Sequence, residues 1–382
     1  MANRTLCVFS DGTGQRGVRV DDGATNIFKM YEWARSAPSQ LCFYDAGVGT
    51  EPGKIVSWSR WAQNLVGKAT GSGITQNIHD CYEFLLLNWD GPAGTEVADN
   101  RVAVFGFSRG AYTARSLASV VLLCGIPARL QNGADITAEG ADAKKERDRI
   151  LAEAIGIYQT QYGPRGAEER RAKAAIFRKT YACRDAPVHL VAVFDTVAAL
   201  GLPGIMNLVN PFRHRFHDAK LSSRVPFGFQ ALAIDENRKV FAPVPWDETE
   251  AHPSQRIDQV WFPGVHSDIG GGYPDRGLSD MALAWMIAQC SQPGVGIRFQ
   301  PGGYSFAGSL TARQHDERTG FGMFWREGDR SDFILKHDPN RDRLCDQIED
   351  RFNDATMNYR PKALGRPSVH PRVKDFYAPK RL

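Results

Sequence analysis

Several features common in other classes of protein are absent from this chain of 382 residues. No apolar run is long enough to span a bilayer, and the short apolar stretch from Thr5 to Phe9 does not resemble a secretory signal. The net charge of +4 is too small to indicate a nucleic-acid-binding protein. Hydrophobic residues at 42% and charged residues at 24% are typical of a globular protein with a sizeable core. We therefore expect a protein that stays in the cytoplasm of the producing cell unless a dedicated system exports it.

Zinc-knuckle, redox-pair and P-loop motifs are also missing. The seven cysteines form no Cys-x-x-Cys pair, so the sequence indicates neither a zinc knuckle nor a redox pair, and we expect buried free thiols. The glycine-containing run from Gly47 to Lys54 lacks the spacing of a P-loop, and Ile55 follows the lysine where a P-loop has Ser or Thr. We find no internal repeat and no low-complexity tract.

What is present is an alternation of apolar strands and helices, which predicts an α/β fold with a mostly parallel sheet and helices on both faces. The predicted strands are Leu6–Phe9, Leu41–Tyr44, Val102–Phe105, Val188–Phe194 and Gln259–Phe262, and the predicted helices are Ile74–Leu87, Ala111–Cys124 and Met281–Cys290.

The domain organisation predicted from this pattern is one core with additions. Residues 1–128 and 185–292 are expected to form a core of α/β-hydrolase type. The charged, helical stretch 129–184 is expected to be a helical cap insertion, although such a run is also typical of a solvated helix face. Residues 201–257 begin with a segment rich in Gly, Pro and aromatic residues, which suits either a lid over an acyl pocket or core beneath a long loop. Residues 293–382 are expected to be a C-terminal extension packed on the core.

The most informative motif is Gly106-Phe107-Ser108-Arg109-Gly110, which stands between an apolar strand and a helix. This is the layout of a nucleophile elbow, in which a sharp turn exposes a serine hydroxyl above the N-terminus of a helix. Glycines at both ends of the motif allow the strand and the helix to approach closely. The motif predicts that Ser108 attacks an acyl carbon.

A serine nucleophile needs a base, and the base needs an acid that orients it. His266 follows the last predicted strand and precedes a glycine run, so it is the predicted base. Asp195 follows the preceding predicted strand, and the carboxyl ends of parallel strands share one edge of a sheet. Asp195 is therefore the predicted acid. Asp268 and Asp235 are the alternatives, and the stretch before Asp235 has a helical pattern.

The oxyanion that forms during acyl transfer requires hydrogen-bond donors. One predicted donor is the backbone N–H of Arg109, the residue after the nucleophile. The turn Gly12-Thr13 follows the first strand and supplies the second predicted donor. The same residues are also compatible with an ordinary turn between a strand and a loop. This chemistry requires no cofactor and no metal ion, and we predict none.

Two other classes of function remain open at this stage. A metal-dependent phosphoesterase would use Asp11, Asp45, His266 and Asp268, which all stand at predicted strand ends and offer suitable ligand atoms. It would leave the elbow unexplained. A non-catalytic binding protein with a hydrolase fold is the other alternative, since a fold does not determine a function.

Four runs together resemble a known family. The chain is similar to the α/β-hydrolase domains of unknown function that include the catalytic domains of Tle1-like lipase effectors of bacterial type VI secretion. The runs are Phe9-Ser10-Asp11-Gly12-Thr13-Gly14, Gly106-Phe107-Ser108-Arg109-Gly110-Ala111, Val193-Phe194-Asp195-Thr196-Val197 and the stretch from Pro263 to Tyr273.

The resemblance covers about residues 5 to 290 and implies a serine esterase that acts on lipid, with phospholipase A activity in the effector members. It implies that Ser108 is the nucleophile, His266 the base and Asp195 the acid. Lipid or another ester is the implied substrate, with transient contact to a membrane surface. An immunity protein or a component of the secretion system is an implied partner, and export by type VI secretion is an implied route. Nucleic acid is not an expected partner.

Overall fold

The sheet that organises the molecule is parallel throughout. In the computed structural model, which describes residues 4–12, 23–47, 71–89, 100–160, 164–197, 220–319, 326–334 and 343–365, seven strands form one sheet in the order β2-β1-β3-β4-β5-β6-β7. Every neighbouring pair is parallel, which confirms the predicted α/β class. The strands are β1 (Thr5–Ser10), β2 (Gln40–Asp45), β3 (Arg101–Phe107), β4 (Val188–Phe194), β5 (Phe227–Ala233), β6 (Arg256–Phe262) and β7 (Arg343–Leu344).

Helices cover both faces of this sheet. Within the described residues they are α1 (Asn26–Ala34), α2 (Gly71–Asn88), α3 (Arg109–Cys124), α4 (Ala141–Tyr158), α5 (Pro164–Thr180), α6 (His266–Gly270), α7 (Gly277–Cys290), α8 (Ser331–Ile334), α9 (Asp346–Asn353) and α10 (Lys362–Gly365). None of them combines the length with the apolar character that a membrane span requires.

Side chains alternate between two separate cores because successive residues of a strand point to opposite faces. Leu6 and Val8 lie in the core that α2 to α5 cover, whereas Cys7 and Phe9 lie in the core that α1, α7 and the C-terminal helices cover. Both faces of the central strands are therefore buried. This explains why the sequence of these strands is almost continuously apolar.

One predicted element is wrong. The stretch that ends before Asp235 has a helical pattern in sequence, but Phe227–Ala233 is a central strand, paired with β4 and β6. Burial on both faces makes the sequence of this strand apolar without alternation, and such a run is compatible with either a strand or a helix. Asp235 therefore follows a strand end, as Asp195 does.

The regions outside the sheet are tied closely to it. Helices α4 and α5 contribute Ile150, Leu151 and Phe177 to the same core as α3. The prediction that residues 129–184 act as a cap over a site stays a prediction. The C-terminal region contributes Ile348 and Phe352 to the opposite core. Of the segment predicted as a lid, residues 201–219 lie outside the described residues.

All seven cysteines lie in the described residues and are free, and five of them are buried.

Candidate active site

The register of the sheet brings the ends of four strands to one edge. Ser10 at the end of β1 pairs with Gly106 of β3, and Phe107 pairs with Phe194 at the end of β4. Phe194 in turn pairs with Ala231 of β5. Each residue that follows these ends therefore lies beside its neighbours from the adjacent strands. This is the edge at which ligands bind in open parallel sheets.

The turn between β3 and α3 has the strained geometry of a nucleophile elbow. Ser108 has a φ of 59° and a ψ of −121°, a conformation that is uncommon for a residue other than glycine. A side chain at Gly106 would place its Cβ 2.4 Å from the carbonyl oxygen of Gly110. A side chain at Gly110 would place its Cβ 2.1 Å from the carbonyl oxygen of Ser10. Both glycines are thus required by close packing of strand and helix.

Ser108 is held between the neighbouring strand and the helix. Its N–H donates to the carbonyl of Phe194 at 3.1 Å, which places it beside the residue that precedes Asp195. Ser108 is 1% exposed, and its Oγ has no hydrogen-bond partner among the described residues. The hydroxyl is therefore buried and is not hydrogen-bonded to His266, whose Nε2 also has no partner among the described residues.

Asp195 and His266 form a buried pair. His266 Nδ1 lies 2.6 Å from Asp195 Oδ2, and both side chains are fully buried. The N–H of Ala233 donates to Asp195 Oδ1 at 3.0 Å, so the carboxylate is fixed from the neighbouring strand as well. His266 Nε2 has no partner in the described part of the chain. One ring nitrogen is thus oriented by a carboxylate while the other is free to accept a proton.

Aromatic rings and a second carboxylate fix the position of His266. The ring of His266 packs against Phe107, the residue before Ser108, with centroids 4.7 Å apart, and against Phe241 at 5.0 Å. The backbone N–H of His266 donates to Glu236 Oε2 at 3.1 Å. Burial lowers the pKa of His266 below its usual value, although the hydrogen bond with Asp195 acts in the opposite direction. The imidazole is therefore neutral near neutral pH, which is the form that a general base needs.

Arg330 is a member of the site that the sequence did not identify. Its Nη2 donates to Asp195 Oδ2 at 2.9 Å, the oxygen that also contacts His266. Both side chains are buried. Glu236 is likewise paired with a buried cation, Arg238, at 2.7 Å. Burial alone would raise the pKa of Glu236, but the charge and hydrogen bonds of Arg238, together with the charges of Arg330 and His266, outweigh it and lower the pKa to about 2. Two buried carboxylates of the site, those of Asp195 and Glu236, are thus each paired with a buried arginine.

The two alternative acids do not contact His266. Asp268 Oδ1 lies 2.6 Å from His315 Nδ1, and its other oxygen accepts the N–H groups of Val265 and His315. Asp235 Oδ2 accepts the N–H of Gly264 at 2.7 Å and the hydroxyl of Tyr359 at 2.8 Å. Burial raises the pKa of Asp235 to about 7. Of the three candidate acids, Asp195 is the one that the structure joins to the imidazole.

The predicted oxyanion donors are placed unequally. Arg109 is the first residue of α3, directly after Ser108. Gly12 lies against the elbow, since a Cβ at this position would be 3.6 Å from the Cβ of Ser108. The N–H of Gly12, however, donates to Asp11 Oδ1 at 2.7 Å. Thr13 lies outside the described residues. The position of Gly12 after a strand end does not reveal which acceptor its N–H finds, and its role as an oxyanion donor stays a prediction.

The four residues considered for a metal-dependent phosphoesterase are engaged in other contacts. Asp11 accepts hydrogen bonds from Thr25 and from Tyr44, and burial raises its pKa to about 7. Asp45 accepts from Ser10 at 2.7 Å. Among the described residues, one group of His, Cys, Asp or Glu side chains meets metal-ligand distances, and it consists of His79, Glu83 and Asp148 on α2 and α4. That group is on other elements, and Asp148 also pairs with Lys144 at 3.3 Å.

Comparison with curated proteins finds a relative in yeast. The chain is 28% identical to the uncharacterized protein YEL023C of Saccharomyces cerevisiae over a 424-residue alignment, which covers 76% of this chain and 58% of that protein. The chain thus spans about three fifths of the length of the curated relative that it matches.

Two solved structures are also similar. An uncharacterized protein from Pseudomonas aeruginosa matches with 17% identity and a TM-score of 0.40, over 78% of this chain and 46% of that chain. The Tle1 effector bound to the VgrG spike of the type VI secretion system matches with 20% identity and a TM-score of 0.35, over 71% of this chain and 51% of that chain.

The profile of one protein family matches residues 4–289, which include Ser108, Asp195 and His266. Arg330 lies beyond the matched region. Since the match covers most of the chain, the protein belongs to the family of Tle1-like catalytic domains of type VI secretion phospholipase effectors.

Proposed function

We propose that this protein is a serine hydrolase that cleaves carboxylic esters of lipids, as a phospholipase A does. The observation that carries the proposal is the buried His266–Asp195 pair at 2.6 Å beside a strained elbow at Ser108. Membership in a family described as phospholipase effectors supports the class of substrate. The mechanism assigns Ser108 as nucleophile, His266 as base and Asp195 as the acid that orients the base.

The reaction begins when His266 Nε2 takes the proton of Ser108 Oγ as the oxygen attacks the acyl carbonyl carbon. The resulting oxyanion is stabilised by the N–H of Arg109 and by the positive end of α3. His266 then gives the proton to the leaving alcohol, and water attacks the acyl-enzyme with the same imidazole as base. Asp195 stabilises the imidazolium that forms in each half-reaction.

Arg330 and Glu236 hold this machinery in position. Arg330 fixes the carboxylate of Asp195 and balances its charge, since an isolated buried carboxylate is unfavourable. Glu236 fixes the main chain of His266, so the ring enters the site in one orientation. Both are positioning residues, because each acts through a member of the triad.

The proposals about partners and destination rest on family membership alone. We propose a lipid substrate presented at a membrane surface, export by a type VI secretion system and neutralisation by an immunity protein. Helices α4 and α5 are candidates for covering the acyl chain, whereas the predicted lid segment 201–257 includes the central strand β5 and cannot do so as a whole.

The test of the proposed function is labelling with a fluorophosphonate probe, read by intact mass. We expect one adduct on the wild-type protein and none on Ser108→Ala, whose thermal unfolding should match the wild type. Hydrolysis of a short-chain phospholipid should be lost in the same variant and should persist in the presence of a chelator. A folded wild-type protein that takes up no label, or a Ser108→Ala variant with full activity, would refute the proposal.

A further inference from the structure

The side chain of Arg109 is a buried cation that the mechanism above does not use. The residue is 6% exposed, and neither Nε nor Nη2 has a hydrogen-bond partner among the described residues. Burial lowers the pKa of Arg109 to about 10. The guanidinium remains charged at neutral pH, so a buried positive charge lies next to the nucleophile.

Other buried cations of the described chain have partners within the protein. Lys29 pairs with Asp280 at 3.1 Å, and Arg238 pairs with Glu236 at 2.7 Å. Arg330 pairs with Asp195 at 2.9 Å. Three further buried arginines donate to backbone carbonyls, and these are Arg115, Arg147 and Arg351.

An unpaired buried charge is costly, because it loses its hydration without gaining a counter-charge. Proteins therefore rarely retain one unless a ligand supplies the missing partner. The difference between Arg109 and the other buried cations indicates that its partner is such a ligand, and that the ligand is an anion.

The position of Arg109 on α3 indicates where this anion binds. The Cα–Cβ bonds of a helix tilt toward its N-terminus, so the side chain of the first helical residue starts out toward that end of the helix. Ser108 stands at this end of α3, which is 16 residues long. The partial positive charge of the helix N-terminus favours an anion in the same place.

We propose that the Arg109 guanidinium binds the phosphodiester group of a glycerophospholipid whose acyl ester is attacked by Ser108. This inference rests on the proposed function and names the lipid class within it. A guanidinium pairs with two phosphate oxygens at once, which fixes orientation as well as position.

The phosphate of such a lipid is only a few bonds from its ester carbonyls, so one substrate contacts Ser108 and Arg109 together. A neutral acylglycerol leaves Arg109 unpaired, and the site therefore selects against it.

The test compares a short-chain phosphatidylglycerol with the diacylglycerol that carries the same acyl chains. The measured quantity is the ratio of their kcat/KM values. In Arg109→Gln we expect this ratio to fall about 10- to 100-fold, since a charged hydrogen bond is removed while the backbone N–H remains. Arg109→Lys keeps the charge but not the two-point geometry, and its ratio should be intermediate.

Arg115→Gln is the matched control, because Arg115 lies on the same helix, is 2% exposed and donates to the carbonyl of Val244. Its ratio should equal that of the wild type. If Arg109→Gln fails to fold, an inhibition experiment on the wild-type protein takes the place of the variant. Glycerol 3-phosphate should then inhibit diacylglycerol hydrolysis competitively, and sulfate at equal ionic strength should inhibit less. Absence of inhibition contradicts the inference.

The outcomes separate this inference from the proposed function. A protein that is labelled at Ser108 and cleaves both lipids, with a ratio unchanged in Arg109→Gln, refutes the role of Arg109 alone. A protein that takes no label and cleaves neither lipid refutes the proposed function itself.

Discussion

The described residues contain two histidine–aspartate pairs with the same 2.6 Å separation, and the two pairs differ in burial and in the contacts of the imidazole. In the pair of His266 and Asp195 both side chains are fully buried, and Nε2 of the imidazole has no partner among the described residues. In the pair of His315 and Asp268 the imidazole is 21% exposed and stacks on Tyr273, with ring centroids 3.8 Å apart.

The two aspartates also serve different purposes. Asp268 accepts the backbone N–H groups of Val265 and His315, so it ties the loop of His315 to the start of α6. Asp195 is bonded instead to Arg330 and to the N–H of Ala233 beside the elbow. A short contact between imidazole and carboxylate therefore does not by itself identify a catalytic pair. Full burial, an imidazole nitrogen without a partner among the described residues and the nearby elbow at Ser108 distinguish the first pair from the second.

The largest difference between the two pairs is expected when each imidazole is removed. We expect His266→Ala to lower kcat/KM on a short-chain phospholipid by about 10⁴-fold or more, since the base and the proton donor are both lost. His315→Ala should lower it less than about tenfold, as a partly exposed structural contact does. Initial rates with matched amounts of folded protein provide the measurement. Equal losses in the two variants would contradict the assignment.

The next largest effect is expected at the acids. Asp195→Asn should lower kcat/KM by about 10³- to 10⁴-fold, because an amide no longer stabilises the imidazolium or selects the correct tautomer. Asp268→Asn should act mainly on stability, at about 1–3 kcal/mol in the free energy of unfolding, because it weakens contacts to two N–H groups and an imidazole. Urea unfolding and steady-state rates together separate the two effects. A large loss of rate in Asp268→Asn with unchanged stability would favour that residue as the acid.

Arg330 provides a further difference between the two pairs, because it contacts Asp195 of the first pair. Arg330→Gln should lower kcat/KM about tenfold, in the range of one charged hydrogen bond. Loss of the cation should also raise the pKa of His266, so the acid limb of the pH profile moves to higher pH. Arg330→Lys should restore much of the rate and of the profile. The control is Arg351→Gln, because Arg351 is another buried arginine of the C-terminal region. The acid limb of kcat/KM in this variant should have the same midpoint as in the wild type. If the pH profile of kcat/KM in Arg330→Gln matches that of the wild type, Arg330 is a structural contact and does not position the triad.

The smallest expected effect is the position of the acid limb in the wild type. Burial lowers the pKa of His266, and only the neutral imidazole accepts the proton of the nucleophile. As pH falls, the active form should therefore persist below the ordinary value of about 6.5. The midpoint of the acid limb of kcat/KM, which reports the free enzyme, should lie below that value. A midpoint above it would show that the charged form of His266 is stabilised instead.

Much of the fold was predictable because its signals are local. The alternation of apolar strands and helices at β1, β2, β3, β4 and β6 repeats within short windows of sequence. Strand β5 was misread because a strand buried on both faces has no period of two. Strand β7 has only two residues and is defined by its pairing with β6, which no local pattern shows.

The candidate site also combines features that local sequence predicts with contacts that it does not. The elbow around Ser108 can be predicted from a short sequence motif, since Gly106 and Gly110 act within one turn. The sequence also favoured Asp195 and His266, because residues that follow parallel strands share an edge. The three-dimensional packing is needed to show that Asp268 pairs with His315, that Asp195 pairs with Arg330, and that Nε and Nη2 of the buried Arg109 have no hydrogen-bond partner among the described residues. Arg330 lies 135 residues from Asp195 in sequence, and Asp268 lies 47 residues from His315. Such contacts depend on how distant segments pack against one another, and charge pairing in a buried site is a property of that packing alone.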